Sequence, residues 1–138
     1  MFTYQHKLKL HETDAGGILF FSNQFKIVHD AYECVLENIG FSFAELTKNQ
    51  NFFLPIVHAE ADYTAPLQVG DLIEVTVTTE HVGTSSFVFS YRLTKSDGTL
   101  AGTAKTVHVT TDKGTKEKIP LPSALREKIE ALYAEDHA

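Results

Sequence analysis

The residue most suited to chemistry is Asp14, which opens the glycine-rich stretch Asp14–Gly17 ahead of an amphipathic segment. If that segment is a helix, its first amide N–H groups lack intrahelical partners and, with the helix dipole, favour negative charge nearby. A carboxylate beside such donors is typical of a site that polarises a carbonyl, which predicts acyl chemistry. An ordinary Asx-type turn is the alternative interpretation of Asp14, and the pattern alone leaves both open.

The segment after the loop has helical periodicity. Its apolar residues recur at steps of three and four, whereas most charged residues fall on other faces. The apolar set is Phe25, Val28, Tyr32, Val35, Leu36 and Ile39. Ser22 or Asn23 is the expected N-cap, and Gly40 is a typical C-terminal stop. The spacing therefore predicts a helix that carries the loop at its start.

Histidine and cysteine offer other chemistry. The seven histidines include no HExxH spacing and have no partner cysteines, so no metal site is predicted. His29 lies on or beside the apolar helix face and is either a half-buried structural residue or a ligand contact. His58 lies on a predicted strand, and the structural interpretation of it is favoured over a ligand contact. The single cysteine, Cys34, suits a small core residue better than a nucleophile. A G-x-S-x-G elbow, a P-loop and a G-x-G-x-x-G fingerprint are absent.

Bulk composition narrows the function class. With 43% hydrophobic and 22% charged residues the chain is globular in character, and residues 1–138 are expected to form one domain. A net charge of −6 argues against general nucleic-acid binding. No apolar run resembles a signal peptide or a membrane span, so we expect a cytoplasmic protein that does not enter a membrane.

The remaining elements must position the loop and its helix. Alternating β-branched and aromatic residues, broken by turn signals, predict strands over about 3–11, 54–63, 71–82, a stretch containing Phe87, Phe89, Tyr91 and Leu93, and 100–111. Phe41–Gln50 is expected to be a short helical turn or loop, and Asp97-Gly98 a hairpin turn. A terminal helix should run from a Ser123 N-cap to near Tyr133. We therefore predict an α+β fold in which one long central helix is wrapped by an antiparallel sheet of about five strands, plus a C-terminal helix.

Three segments carry a resemblance to a known family. They are Thr13–Phe21 with its helix, Asp62–Asp71, and Gly83–Phe87 leading to Ala101–Ala104. In these motifs and in the order of its elements, the chain resembles the hot-dog fold acyl-CoA thioesterases of the 4-hydroxybenzoyl-CoA thioesterase type. The likeness covers about residues 3–115.

The resemblance implies roles for three loop residues. Asp14 matches the family's catalytic aspartate, a nucleophile or the base for water. Gly17 matches the glycine that lets the loop approach the ligand, and the backbone N–H of Phe21 matches the donor to the thioester oxygen. The expected backbone oxyanion groups are therefore those of Phe21 and Gly17. Three positions depart from the family: Phe21 replaces a common Tyr or His, His29 replaces an aspartate that reads a substrate hydroxyl, and Thr84 replaces a frequent arginine.

A narrower likeness concerns the substrate. The segments His29–Glu33, Pro55–His58, Ala104–Val109 and Pro120–Pro122 are similar to the 1,4-dihydroxy-2-naphthoyl-CoA hydrolases of phylloquinone and menaquinone synthesis. This likeness implies an aromatic acyl pocket lined by Phe21, His29, Tyr32, Phe53 and His58.

The family also implies partners. The expected substrate is an acyl-CoA, with its phosphates on exposed bases such as Lys95 or Lys105 and with no cofactor or metal needed. The family forms homodimers, commonly paired into tetramers, with sites at subunit interfaces. Two further hypotheses stay open: a thioesterase for another aromatic or short-chain acyl-CoA, and a non-catalytic hot-dog module that binds acyl thioesters or a protein.

Overall fold

A computed structural model describes all residues, 1–138. The chain has an α+β order: one strand, a 3₁₀ turn at Leu10–Glu12, two helices, six strands and a terminal helix. The strands are β1 (Phe2–Lys7), β2 (Phe52–Phe53), β3 (Ile56–Tyr63), β4 (Leu72–Val82), β5 (Ser86–Lys95), β6 (Leu100–Val109) and β7 (Thr111–Asp112). The helices are α1 (Asn23–Asn38), α2 (Phe43–Asn49) and α3 (Ser123–Asp136).

Five strands form one antiparallel sheet in the order β1-β4-β5-β6-β3. The short strands β2 and β7 pair separately. The predicted sheet of about five strands is thus confirmed. Because β1 and β3 each pair with only one neighbour, both are edge strands of this sheet.

The helix α1 contributes one face to the core. The buried residues of α1 are Gln24, Ile27, Val28, Ala31, Tyr32, Val35 and Leu36. Its end is a Schellman motif, in which the Phe41 N–H donates to the Leu36 carbonyl at 2.8 Å and Gly40 has a φ of 91°. The stop at Gly40 is therefore confirmed. At 16 residues, however, α1 meets the prediction of one long central helix only in part, and α2 is a helix in its own right, capped by Ser42.

Alternation along the strands agrees with the sequence pattern. Ile73, Val75 and Val77 of β4 are buried, as are Phe87, Phe89, Tyr91 and Leu93 of β5, and these side chains form one cluster with the buried face of α1. The Asp97-Gly98 turn joins β5 to β6, with Gly98 at a φ of 87°. The core therefore lies between the sheet and α1.

Element ends differ from the expectation in three places. The first strand stops at Lys7, because the chain turns into the 3₁₀ segment that ends at Glu12. Phe52 and Phe53 belong to β2, so β3 begins only at Ile56. The helix α3 includes Ser123 and runs to Asp136, whose carboxylate accepts the Thr79 N–H at 2.8 Å. No helix is long and apolar enough to cross a membrane.

Candidate active site

The loop between the 3₁₀ turn and α1 is closed by its own backbone. Thr13 bridges Leu19, the Asp14 N–H donates to the Ile18 carbonyl at 2.9 Å, and the Gly17 N–H donates to the Asp14 carbonyl at 3.0 Å. Gly17 has a φ of 74°, a left-handed conformation that favours glycine. The Asp-Ala-Gly-Gly stretch is therefore a tight, internally bonded turn.

Asp14 has one occupied and one free carboxylate oxygen. Its Oδ1 accepts the Gly16 N–H at 2.9 Å and the Ile18 N–H at 3.4 Å, whereas its Oδ2 accepts no hydrogen bond, and the residue is exposed. The Gly16 contact is the Asx-type bond expected of a turn. The structural and chemical interpretations of Asp14 are thus compatible: one oxygen orients the side chain, and the other remains available.

The backbone amide of Phe21 has no hydrogen-bond acceptor, and neither has that of Ser22. We expected the first helical amides to lack acceptors, but they are hydrogen-bonded. The amides of Asn23, Gln24 and Phe25 donate to the carbonyls of Phe20, Phe21 and Ser22, respectively. The available donors therefore lie just before the helix. Of the two predicted backbone groups, the Phe21 N–H is unpaired and the Gly17 N–H is already used inside the loop.

A cleft of about 340 Å³ opens beside Phe21. One wall comes from the loop and the start of α1, and the other from the chain after β3. Its lining residues are Ile18, Leu19, Phe21, Gln24, Tyr63, Thr64, Ala65, Pro66 and Leu67. The Tyr63 hydroxyl donates to the Phe21 carbonyl at 2.7 Å, which ties the two walls together at Phe21.

A second, mostly apolar cavity of about 150 Å³ lies between α1 and the sheet. It is lined by Phe25, Val28, His29, Tyr32, Ile56, Ala59, Tyr91 and Thr106. The rings of His29 and Tyr32 pack in a T-shaped arrangement with 5.4 Å between centroids, and His29 Nδ1 lies 3.1 Å from Glu33. Two predicted acyl contacts, His29 and Tyr32, are therefore brought together here.

The other predicted acyl contacts lie elsewhere. A β-bulge between Ile56 and His58 places His58 opposite Val107, on the sheet face that does not carry Thr106 and His108. The His58 imidazole lies 3.4 Å from Glu60 on that face. Phe53 is on β2, with the ammonium groups of Lys113 and Lys116 at 5.5 and 5.0 Å from its ring centroid. Neither His58 nor Phe53 lines the cavity beside His29.

The predicted CoA-binding lysines are each paired with an acid. Lys95 lies 3.5 Å from Asp71, and Lys105 lies 2.8 Å from Glu80. The hydrogen bond to Glu80 raises the pKa of Lys105.

Near Thr84, where the family often has arginine, the guanidinium of Arg126 donates to the carbonyls of Gly83 and Thr84 at 2.8 and 2.7 Å. A basic group thus reaches this turn from α3, but it is engaged with the main chain.

Sequence reasoning missed a polar chain behind the cavity. The hydroxyls of Tyr91 and Thr106 are 2.8 Å apart, and Thr106 Oγ1 is 2.7 Å from His108 Nε2. Burial, with a smaller contribution from His29, lowers the pKa of His108 to about 3, so the imidazole is neutral. Tyr32 Oη and His108 Nδ1 have no partner. The signal available was weak: Thr106 and His108 merely alternate on a predicted strand.

A buried hydrogen-bonded pair was also missed. His6 Nε2 lies 2.9 and 3.0 Å from the two carboxylate oxygens of Glu12, directly before the Asp14 loop. Neither residue stands out in the sequence, because six positions separate them and each looks like a surface residue of a strand or turn.

No group of three His, Cys, Asp or Glu side chains could hold a metal ion.

Comparisons with known proteins give consistent matches. A family model described as the thioesterase-like superfamily matches residues 8–129. A 1,4-dihydroxy-2-naphthoyl-CoA hydrolase from Rippkaea orientalis is 35% identical over 124 residues, covering 88% of this chain and 90% of the relative. One from Synechococcus elongatus is 32% identical over 127 residues, covering 91% and 93%. The crystal structure of a 1,4-dihydroxy-2-naphthoyl-CoA thioesterase from Synechocystis superposes with a TM-score of 0.88 at 30% identity, covering 95% of this chain and 96% of that one.

Proposed function

Because this chain belongs to the thioesterase-like superfamily and has its hot-dog fold, we propose that it hydrolyses the thioester bond of an aromatic acyl-CoA. One observation carries the proposal: a single loop holds a carboxylate oxygen without a partner, Asp14 Oδ2, and an amide without an acceptor, the Phe21 N–H. Thioester hydrolysis needs an attacking or proton-accepting group and a donor for the developing oxyanion. Gly17 serves the loop by allowing its left-handed turn.

Two routes use the same groups. As a nucleophile, Asp14 Oδ2 attacks the thioester carbon, the CoA thiolate leaves, and water then hydrolyses the mixed anhydride. As a general base, Asp14 accepts a proton from the water that attacks this carbon, and the tetrahedral intermediate then collapses with loss of the CoA thiolate. In both routes the carbonyl oxygen becomes negatively charged, and the Phe21 N–H donates a hydrogen bond to it. Removing one such donor typically costs about 2.7–4 kcal/mol in the barrier.

The best-supported substrate is 1,4-dihydroxy-2-naphthoyl-CoA. Relatives that are 30–35% identical over most of this chain carry that activity in their names. The cavity beside α1 supports an aromatic acyl group, since its walls include Phe25, Tyr32 and Tyr91. His29 stands at this cavity as the group proposed to contact a ring hydroxyl. Other aromatic or short-chain acyl groups are the alternative, as is thioester binding without hydrolysis.

A substrate panel tests the proposal. Aliphatic, benzoyl and 1,4-dihydroxy-2-naphthoyl thioesters of CoA are each incubated with the protein, and released thiol is measured. We expect the naphthoyl thioester to have the highest kcat/KM. Preference for an aliphatic thioester would overturn the substrate assignment. Absence of thiol release, combined with measurable binding of the thioesters, would favour the non-catalytic module.

The proposed enzyme is a cytoplasmic homodimer or homotetramer of single-domain chains, residues 1–138. Support for association comes from β3, an edge strand whose residues are nearly all exposed on both faces, including Ile56, Val57 and Tyr63. Exposed apolar side chains on an edge strand invite pairing with another strand. Since Phe20 and Phe21 are also exposed, a second copy that covers this side of the molecule would shield the loop from water.

A further inference from the structure

Two residues before Asp14, the buried side chain of Glu12 ends a polar chain that starts on β1. Its two carboxylate oxygens lie 2.9 and 3.0 Å from His6 Nε2, and Oε1 also accepts the Lys9 N–H at 2.8 Å. Because a carboxylate can only accept, Nε2 carries the proton of this bond. On the other side of the imidazole, Nδ1 is 3.2 Å from the Tyr4 hydroxyl. Glu12 and His6 are only 4% and 7% exposed.

Glu12 stays ionised in this position. Burial alone would raise the pKa of its carboxyl, but the Lys9 amide and His6 outweigh burial and lower it. A buried carboxylate bonded in this way is held in one orientation, because any other would leave a charge unpaired away from water. The backbone of Glu12 is therefore anchored to β1 and to the 3₁₀ turn.

The same residue fastens the far end of the loop. The Glu12 carbonyl accepts the Phe20 N–H at 3.0 Å and the Asn23 side-chain amide at 2.9 Å. Phe20 directly precedes Phe21, and Asn23 is the first residue of α1. The carbonyl of Glu12 thus binds the chain on both sides of the unpaired Phe21 amide, while Asp14 follows two residues later. Both reacting groups are connected to one fixed point.

We propose that Glu12, held by His6, is a positioning residue for the thioesterase reaction, which sets the placement of the Asp14 carboxylate relative to the Phe21 amide. This inference rests on the proposed function. Glu12 does not touch the substrate; it acts through the two ends of the loop. Misplacement of reacting groups by about 1 Å can lower a rate by about 10²-fold, so the effect should appear in kcat more than in KM.

The test compares Glu12→Gln with a matched control. Glu74→Gln alters an acid on β4 that accepts the Gln5 side-chain amide of β1 at 2.9 Å, but this pair is exposed and makes no bond to the loop. We expect Glu12→Gln to lower kcat by about 10-fold or more with KM changed less than about 3-fold. Glu74→Gln should retain the wild-type kcat.

A double variant separates positioning from a general loss of stability. In an Asp14→Asn background, adding Glu12→Gln should lower kcat by less than about 2-fold, because the residue that Glu12 positions is already disabled. If the kcat loss of the double variant equals the product of the losses of the two single variants, Glu12 acts on the fold alone, and the proposal is overturned. If Glu12→Gln does not fold, His6→Leu with Glu12→Met replaces the whole pair by apolar groups, an exchange that buried ion pairs often tolerate.

Hydrogen exchange gives a readout that does not depend on catalysis. Protection of the amides of residues 13–20 should fall in Glu12→Gln, or in the paired replacement, and remain unchanged in Glu74→Gln. Unchanged loop exchange together with wild-type kcat would contradict the positioning role while leaving the thioesterase proposal intact. If the wild-type protein hydrolyses no thioester, the proposed function fails, and unchanged loop exchange would then also remove the role of Glu12 in ordering the loop.

Discussion

At Asp14, the two carboxylate oxygens have different environments. Oδ1 is fixed by the Gly16 amide, so the side chain has a defined direction, and Oδ2 is left without a partner. The sequence could single out this residue as a candidate because the Asp-Ala-Gly-Gly turn precedes a helical pattern, and the resemblance to the family implied its catalytic role. It could not predict which oxygen is free, since this depends on the bend of residues 14–18.

The positions of the other predicted site residues followed the sequence pattern where helical periodicity determined them, and not where tertiary contacts did. His29 and Tyr32 meet at the cavity because both lie on the predicted helix face, one turn apart. His58 lies on the opposite sheet face because a bulge at Ile56–His58 shifts the alternation by one residue. The partners of Lys95 and Lys105 are also remote in sequence, so their ion pairs could not be expected.

His29→Ala tests recognition of a ring hydroxyl. We expect the variant to lose about 1–3 kcal/mol of transition-state binding for a hydroxylated naphthoyl thioester, because a hydrogen-bonding partner of the hydroxyl is removed. The unsubstituted naphthoyl analogue should lose much less. The measurement is kcat/KM for both substrates with wild type and variant. Equal losses would return His29 to a structural role at the α1 surface.

At the scale of elements, α1 was predicted well along its apolar face and less well at its start. The 3.6-residue period fixes which side is buried, and Val28, Tyr32, Val35 and Leu36 are buried as expected. The first helical amides, however, bond to carbonyls of a preceding turn, which a capping pattern does not show. The free amides of Phe21 and Ser22 follow from that turn.

Replacing the Phe21 amide by an ester tests the oxyanion donor. The substitution removes an N–H that has no acceptor in the structure, so helix stability should change little. The barrier should rise by about 3 kcal/mol, the usual effect of losing one such donor. Phe21→Tyr and Phe21→Leu, which keep the N–H and a large side chain, serve as controls and should remain active. An ester variant that is folded and turns over at the wild-type rate would exclude this amide.

At the scale of the whole molecule, the number of strands in the sheet and the composition of the core were more predictable than assembly. The alternation of apolar and polar residues along each strand identifies the inner face of the sheet, and turn signals such as Asp97-Gly98 identify the hairpins. Five antiparallel strands could therefore be expected. The sequence pattern did not show that β3 would be an edge strand with both faces exposed. The proposed dimer therefore rests on the structure of that edge and on the family.

A charge on β3 tests the proposed association. Val57 is 58% exposed, and Val57→Lys should weaken strand pairing between two copies without disturbing the core. We expect sedimentation or light scattering to show a smaller assembly than for wild type, with unchanged far-UV circular dichroism. Lys7→Glu on the opposite edge strand, β1, is the control and should not change the mass. The same assembly in both variants would argue against β3 as the interface.

The most direct measurement of thioester hydrolysis by the Asp14 loop is the release of CoA thiol from 1,4-dihydroxy-2-naphthoyl-CoA by wild type and by Asp14→Asn. The amide retains the shape of the side chain and an oxygen for the Gly16 bond, but it is neither a nucleophile nor a base. We predict efficient release by wild type and a kcat lower by about 10²-fold or more in Asp14→Asn, with the fold unchanged. Retention of more than about half of the wild-type turnover by a folded Asp14→Asn variant would contradict a role of this carboxylate in the chemistry.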